Sequence, residues 1–238
     1  MIGFIDSGVG GLCLMSKCNK LFNEDFVFLC DNKNAPYGNK NVEKLYHITE
    51  QNINYLIKHY KITACVIACN TLSYTIGEKL QRKFQIPIIL TKMPNEFIKN
   101  CKKEILFFGT KNTIKKIQEK YNDYQTLYIK DLPKKKDENL NNLNILEKLL
   151  KKYLNDKKYK NVNSIVLCCT HFTCISHIIK KIKTNAVIYD YTDILAKQIA
   201  SNIQSKASSS FHIVLTDYYY PKYVELKAFY RQLLVDKT

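Results

Sequence analysis

The sequence predicts an α/β fold of two pseudo-symmetric lobes, each a mainly parallel sheet flanked by helices, with an active site between them. Three observations lead there. Short apolar runs rich in β-branched residues alternate with stretches of helical periodicity along most of the chain, the pattern of strands covered by helices on both faces. Two of these runs, residues 66–71 and 166–171, end abruptly in a cysteine followed by polar or imidazole side chains, as a buried parallel strand does when it delivers reactive groups to its carboxyl end. Matched landmarks also recur at similar intervals, 63 positions from Asp6 to Cys69 and 60 from Gly109 to Cys169, which suggests an internal repeat.

Residues 1–5 are predicted as the first strand. The turn Asp6-Ser7-Gly8-Val9-Gly10-Gly11 leads from it into a helix near Leu12, whose first amides favour an anionic group such as a carboxylate. No Gly-Lys-Ser/Thr follows, and Cys13 stands where a dinucleotide fingerprint needs its third glycine, so neither nucleotide motif applies. Residues 26–30 form the second strand, and residues 31–38, through Tyr37 and Gly38, a long loop. A helix fits 42–60, a strand 64–68 delivers Cys69, a helix runs to about Phe84, and residues 87–90 supply a fourth strand.

The second half restates this order. Strands are expected at 104–108, 126–129 and 162–168, the last delivering Cys169, with a helix after Gly109 and another at 143–154. The charged segment 132–142, which contains Pro133, reads as a solvated loop. A strand at 187–189 precedes a helix to about Ile203, and the serines of 205–210 form a linker-like stretch. A last strand at 211–215 and helix at 224–234 are expected to return to the first lobe. This gives one lobe from 1–92 with 206–238 and another from 93–205, with Cys69 and Cys169 facing each other across the cleft.

The 238 residues carry 37 Lys and Arg against 21 Asp and Glu, a formal charge of +16. Lysine is the cause, since Arg82 and Arg231 are the only arginines, whereas bidentate phosphate and base recognition favour arginine. No zinc-finger, RNP or basic-zipper pattern accompanies the charge, which argues against a nucleic-acid partner and for a lysine-rich solvated surface that could draw anionic substrates. Nine cysteines, an odd count placed largely within apolar runs, with no signal segment and no membrane-length apolar run, lead to the expectation of a reduced, cytoplasmic protein without a membrane partner.

Cys30, Cys65, Cys101, Cys168 and Cys174 read as small core groups. Cys69 and Cys169 differ by standing at strand ends next to polar residues, where the start of a helix favours a thiolate. A zinc cluster of Cys168, Cys169, His171 and Cys174 conflicts with strand geometry, because adjacent side chains point to opposite faces. A Cys169–His171 acyl-transfer pair is a better rival, but it leaves Cys69 and the repeat without a role.

The segments Asp6-Ser7-Gly8-Val9-Gly10-Gly11-Leu12, Pro36-Tyr37-Gly38, Ala68-Cys69-Asn70-Thr71 and Cys169-Thr170-His171 resemble, in order and spacing, the motifs of the glutamate racemases within the aspartate/glutamate racemase family. The resemblance implies interconversion of L-glutamate and D-glutamate without any cofactor or metal, supplying D-glutamate for peptidoglycan, in a homodimer. It implies that Cys69 removes the α-proton of D-glutamate while Cys169 donates from the opposite face, and that Cys169 is the base in the other direction. Asp6 would assist Cys69 and His171 would assist Cys169. Ser7, Tyr37, Gly38, Asn70, Thr71 and Thr170, with Asp6 and His171, would hold the substrate. The chain departs from the family pattern at Cys168, where glycine is usual, and at Phe172-Thr173, where Tyr-Pro is usual. Aspartate racemisation, or a noncatalytic protein that binds an amino acid or nucleic acid, are the alternatives.

Overall fold

A computed structural model describes residues 1–139, 143–203 and 210–216 and shows an α/β fold of two domains, each built on its own parallel sheet. The first sheet has the order β4-β3-β1-β2-β9, from β1 (Ile2–Asp6), β2 (Phe26–Cys30), β3 (Ala64–Ile67), β4 (Ile88–Leu90) and β9 (Phe211–Leu215). The second has the order β6-β5-β7-β8, from β5 (Ile105–Gly109), β6 (Gln125–Tyr128), β7 (Ser164–Cys168) and β8 (Val187–Tyr189). Reversed, the second sheet repeats the first strand for strand, β8-β7-β5-β6 against β4-β3-β1-β2, and all pairings are parallel. The internal repeat read from two intervals is thus a repeat of topology.

The central strands β1, β2, β3, β5 and β7 are buried along their whole length, which is why they read as unbroken apolar runs. Their helices are α1 (Gly11–Leu21), α2 (Val42–Tyr60), α3 (Asn70–Thr75), α4 (Gly77–Lys83), α5 (Lys111–Gln118), α6 (Leu132–Glu138), α7 (Leu143–Leu154), α8 (Thr170–Thr173), α9 (Ser176–Ile182) and α10 (Thr192–Ala200). Helix α2 shows how local sequence sets an element. Asn41 accepts hydrogen bonds from the amides of Glu43 and Lys44 at its start, and Leu45, Ile53 and Leu56 bury one face.

In each sheet the chain passes from one side of the central strand to the other, β2 and β3 flanking β1 and β6 and β7 flanking β5. Such a switch point opens a crevice beyond the carboxyl ends of the strands, and Cys69 and Cys169 stand there. One apolar cluster joins the two sheets, with Phe4, Phe28, Val66 and Ala68 from the first and Phe107, Val166 and Cys168 from the second. Two further clusters cover the outer faces. Cys69 belongs to that of the first lobe and Cys169 to that of the second.

Three expectations need correction. The helix foreseen from residue 70 to Phe84 is two helices, interrupted at Ile76, and the bare Cα of Gly77 packs against Leu90. The segment foreseen as a solvated loop from 132 contains α6. Pro133 sits in its first turn, where proline is compatible with a helix, and Leu132, Pro133 and Lys136 are buried despite the surrounding charges. Helix α10 ends at Ala200, short of Ile203. The last helix foreseen at 224–234, and all but the end of the serine-rich stretch, lie outside the described residues. Among the described residues no helix is long and apolar enough to cross a membrane.

Candidate active site

Asp6 ends β1 fully buried. Its Oδ1 accepts the amide of Ser7 at 2.7 Å and its Oδ2 the hydroxyl of Thr170 at 2.9 Å, so a carboxylate of the first lobe is tied to the start of α8 in the second. Beside this contact the backbone of Gly10 runs against the backbone of Thr170 and His171, where an added Cβ would stand 2.6 Å from the His171 amide nitrogen. Glycine is required there by close approach.

The loop after β2 is organised by Asp31, whose carboxylate accepts from the Tyr37 phenol, from Asn34 Nδ2 at 3.0 and 3.1 Å, and from Thr216 Oγ1 at 2.6 Å. It thereby lays Tyr37 and Gly38 against the second lobe, and a Cβ on Gly38 would meet Thr110 at 2.6 Å. Thr71 Oγ1 lies 2.8 Å from Thr110 Oγ1 and 3.3 Å from Thr113 Oγ1, and Thr110 and Thr113 are 2.9 Å apart. This hydroxyl cluster links α3 to the start of α5 across the lobes. Asn70 uses its amide group as donor to Thr91 O at 2.9 Å and to the Tyr191 phenol at 2.5 Å.

Cys69 precedes the first turn of α3, and Cys169 the first turn of α8. Cys169 Sγ is 3.7 Å from His171 Nδ1, whose ring also lies 3.5 Å from Thr170 Oγ1. The sequence suggested that helix amides would favour the Cys69 thiolate. The amides of Thr71 and Leu72 do act that way, but burial and then the neighbouring Asp6 carboxylate outweigh them and hold the thiol well above its ordinary value. Burial, with the Asp31 carboxylate next, likewise pushes the Tyr37 phenol up.

A small cavity of about 10 Å³ is lined by both cysteines together with Ser7, Tyr37, Gly38, Asn70, Thr71, Thr170 and His171. Its interior admits little more than one water molecule. Asp6 is joined to it through Ser7 and Thr170. Cys168 turns away into the shared apolar cluster while Cys169 faces the outer one, so the two cannot approach one ion together. Cys168 occupies the repeat position of Ala68, which accounts for an apolar neighbour there.

Sequence reasoning missed Thr110 and Pro133, both in the cavity wall, and Tyr191 and Thr91, which orient Asn70. The repeat carried a signal for Thr110: it follows β5 as Ser7 follows β1. Pro133 was hidden by its charged surroundings.

No protein-family model matches the chain. A glutamate racemase of Persephonella marina is 33% identical over 229 residues, covering 91% of this chain and 88% of the relative. The chain belongs to the glutamate racemase family. Solved glutamate racemases share its fold. One from Bacillus anthracis aligns with a TM-score of 0.81 at 23% identity, covering 98% of this chain and 93% of that one. Another, from Francisella tularensis in complex with D-glutamate, aligns with a TM-score of 0.74 at 23% identity, covering 98% and 92%.

Proposed function

We propose that the chain interconverts L-glutamate and D-glutamate by a two-base mechanism that uses no cofactor, with Cys69 and Cys169 as the bases. The observation that carries this reading is the presence of two thiols at matched positions of a repeated half-molecule, lining one small cavity, each with its own proton-accepting neighbour. Inversion at carbon requires a proton to leave one face and another to arrive on the opposite face, and one thiol per lobe meets that requirement. Cys69 takes the α-proton of D-glutamate while Cys169 delivers one, and the roles reverse for L-glutamate. Asp6 tunes Cys69 and His171 tunes Cys169, as adjacent proton acceptors or orienting groups.

Burial gives this assignment a physical shape. Cys69 begins as a neutral thiol, so the α-ammonium of the substrate and a shift of its proton toward Asp6 must help form the thiolate. The hydroxyls of Ser7, Thr71 and Thr170 and the amides at the starts of α3 and α8 provide donors for the carboxylates and for the charge that develops on the α-carbon side. Tyr37, Gly38 and Asn70 shape the wall that holds the substrate.

The deciding experiment incubates the purified protein with L-glutamate or L-aspartate in deuterated buffer without cofactor, followed by chiral separation and mass measurement. Inversion of glutamate with deuterium at the α-carbon is the expected result, and preference for aspartate would move the assignment within the superfamily. No inversion or exchange of either would overturn it. We further propose lobe boundaries near residues 92 and 206, a homodimer, a cytoplasmic location, and supply of D-glutamate to peptidoglycan.

A further inference from the structure

Outside the cavity, Cys13 on α1 and Cys174 at the end of α8 bring their sulfur atoms to 2.9 Å, although 161 residues separate them in sequence. No disulfide joins them. Each sits beside a segment of the candidate site. Cys13 is two residues beyond the Gly10-Gly11 turn, and Cys174 three beyond His171. A covalent S–S bond is about 2.05 Å long, so roughly an ångström of movement separates this contact from a bond.

We propose that Cys13 and Cys174 are an oxidisable pair whose disulfide clamps the two lobes together over the site. Cys174 is half-buried and Cys13 buried, so a small peroxide reaches Cys174 first. The Cys174 thiolate attacks hydrogen peroxide, forming a sulfenic acid and releasing hydroxide. The Cys13 thiol then displaces that hydroxyl as water, and its proton completes the balance. Two thiols are thus oxidised by two electrons as one peroxide is reduced to two waters, counting the proton taken by hydroxide. The surroundings divide the roles. The contact with Cys174, burial and Asp190 all disfavour a Cys13 thiolate, while the Lys136 ammonium of α6 favours it. Cys13 therefore suits the second, resolving step.

The crosslink would tie the beginning of α1 to the end of α8. Those two elements carry the close approach of Gly10 to Thr170 and His171. Since the cavity admits little more than one water, a substrate enters only when the lobes that line it move apart, and a crosslink between α1 and α8 opposes that movement. Oxidation would hold them together and shut the site reversibly. The activity consequence rests on the racemase reading, whereas formation of the disulfide does not.

The test treats the full chain with hydrogen peroxide, blocks remaining thiols after unfolding in denaturant, and maps the peptides by mass without reduction. A Cys13–Cys174 crosslinked peptide with Cys69 and Cys169 still alkylatable is expected. Racemisation should fall at least tenfold and return with dithiothreitol. Under the same treatment Cys174→Ser should keep its activity, and Cys13→Ser should accumulate a Cys174 sulfenic acid that dimedone traps. Recovery of both cysteines as separately alkylated peptides from the treated wild type would overturn the proposal. Equal reversible loss of activity in Cys174→Ser would overturn the clamp. Absence of racemisation before any treatment would overturn the activity reading alone, since the peptide map still judges the disulfide.

Discussion

The Cys69 thiol stands between opposing influences, two helix amides that favour its charge and a buried carboxylate environment that opposes it, with the second prevailing. Its reactivity toward iodoacetamide should therefore be slow at pH 7 and climb through and beyond pH 9, because only the thiolate alkylates. Peptide mass analysis of the time course at each pH checks this, and rapid labelling at neutral pH would refute it. Replacing Cys69 or Cys169 by serine should lower turnover in both directions by on the order of 10²–10⁴-fold, measured by chiral assay. That these two residues meet at one cavity was legible in the sequence, from matched strand ends each followed by polar side chains. The direction of the Cys69 shift was not. It depends first on burial in the folded molecule and then on Asp6, 63 positions away in sequence and brought near by the pairing of β1 with β3.

Among elements, the glycine-bearing turns govern how tightly the lobes meet. Gly38→Ala would drive a methyl to 2.6 Å from Thr110, and Gly10→Ala would do the same against the His171 amide. Each should lower kcat/KM by on the order of 10²-fold, the effect of displacing reacting groups by about an ångström, while the far-ultraviolet circular dichroism stays unchanged. Wild-type kinetics in both would show that the lobes need not approach this closely. The strands and α2 were legible because burial on both faces, or a regular stripe, leaves a clear period. Helix α6 was not. Its residues Pro133, Lys134, Lys135 and Lys136 spell a loop, and only contact with the rest of the molecule shows that Pro133 and Lys136 are buried.

The whole molecule holds an uncommon number of buried thiols. Cys18 is raised by burial to about 12, and Cys65 and Cys168 are also raised chiefly by burial. A thiol whose folded pKa lies above its unfolded one, 9.0 for these groups, contributes its full stability below pH 9 and loses it as pH rises through the folded value. The unfolding free energy, and with it the urea midpoint, should thus be flat up to about pH 8.5 and fall above it, the free energy by about 1.4 kcal/mol for each such thiol per pH unit. Denaturation followed at pH 7 and pH 10 under reducing conditions measures this, and an unchanged midpoint would contradict the burial of these groups. Two lobes were legible at this scale from repeated intervals, but the apolar cluster that joins them was not, because it is formed by residues far apart in sequence. The matching strand orders required the pairing itself.

The repeat is not perfect at the site, for the first lobe gives its thiol a carboxylate neighbour, Asp6, and the second gives its thiol an imidazole, His171, with Gly109 in the place of Asp6. For a reaction between mirror images the equilibrium constant is one at every pH. In a racemase, kcat/KM must then be identical in the two directions however different the two flanks are. A carboxylate on one side and an imidazole on the other can only redistribute that shared value, so that whatever one enantiomer gains in turnover it gives back in half-saturation.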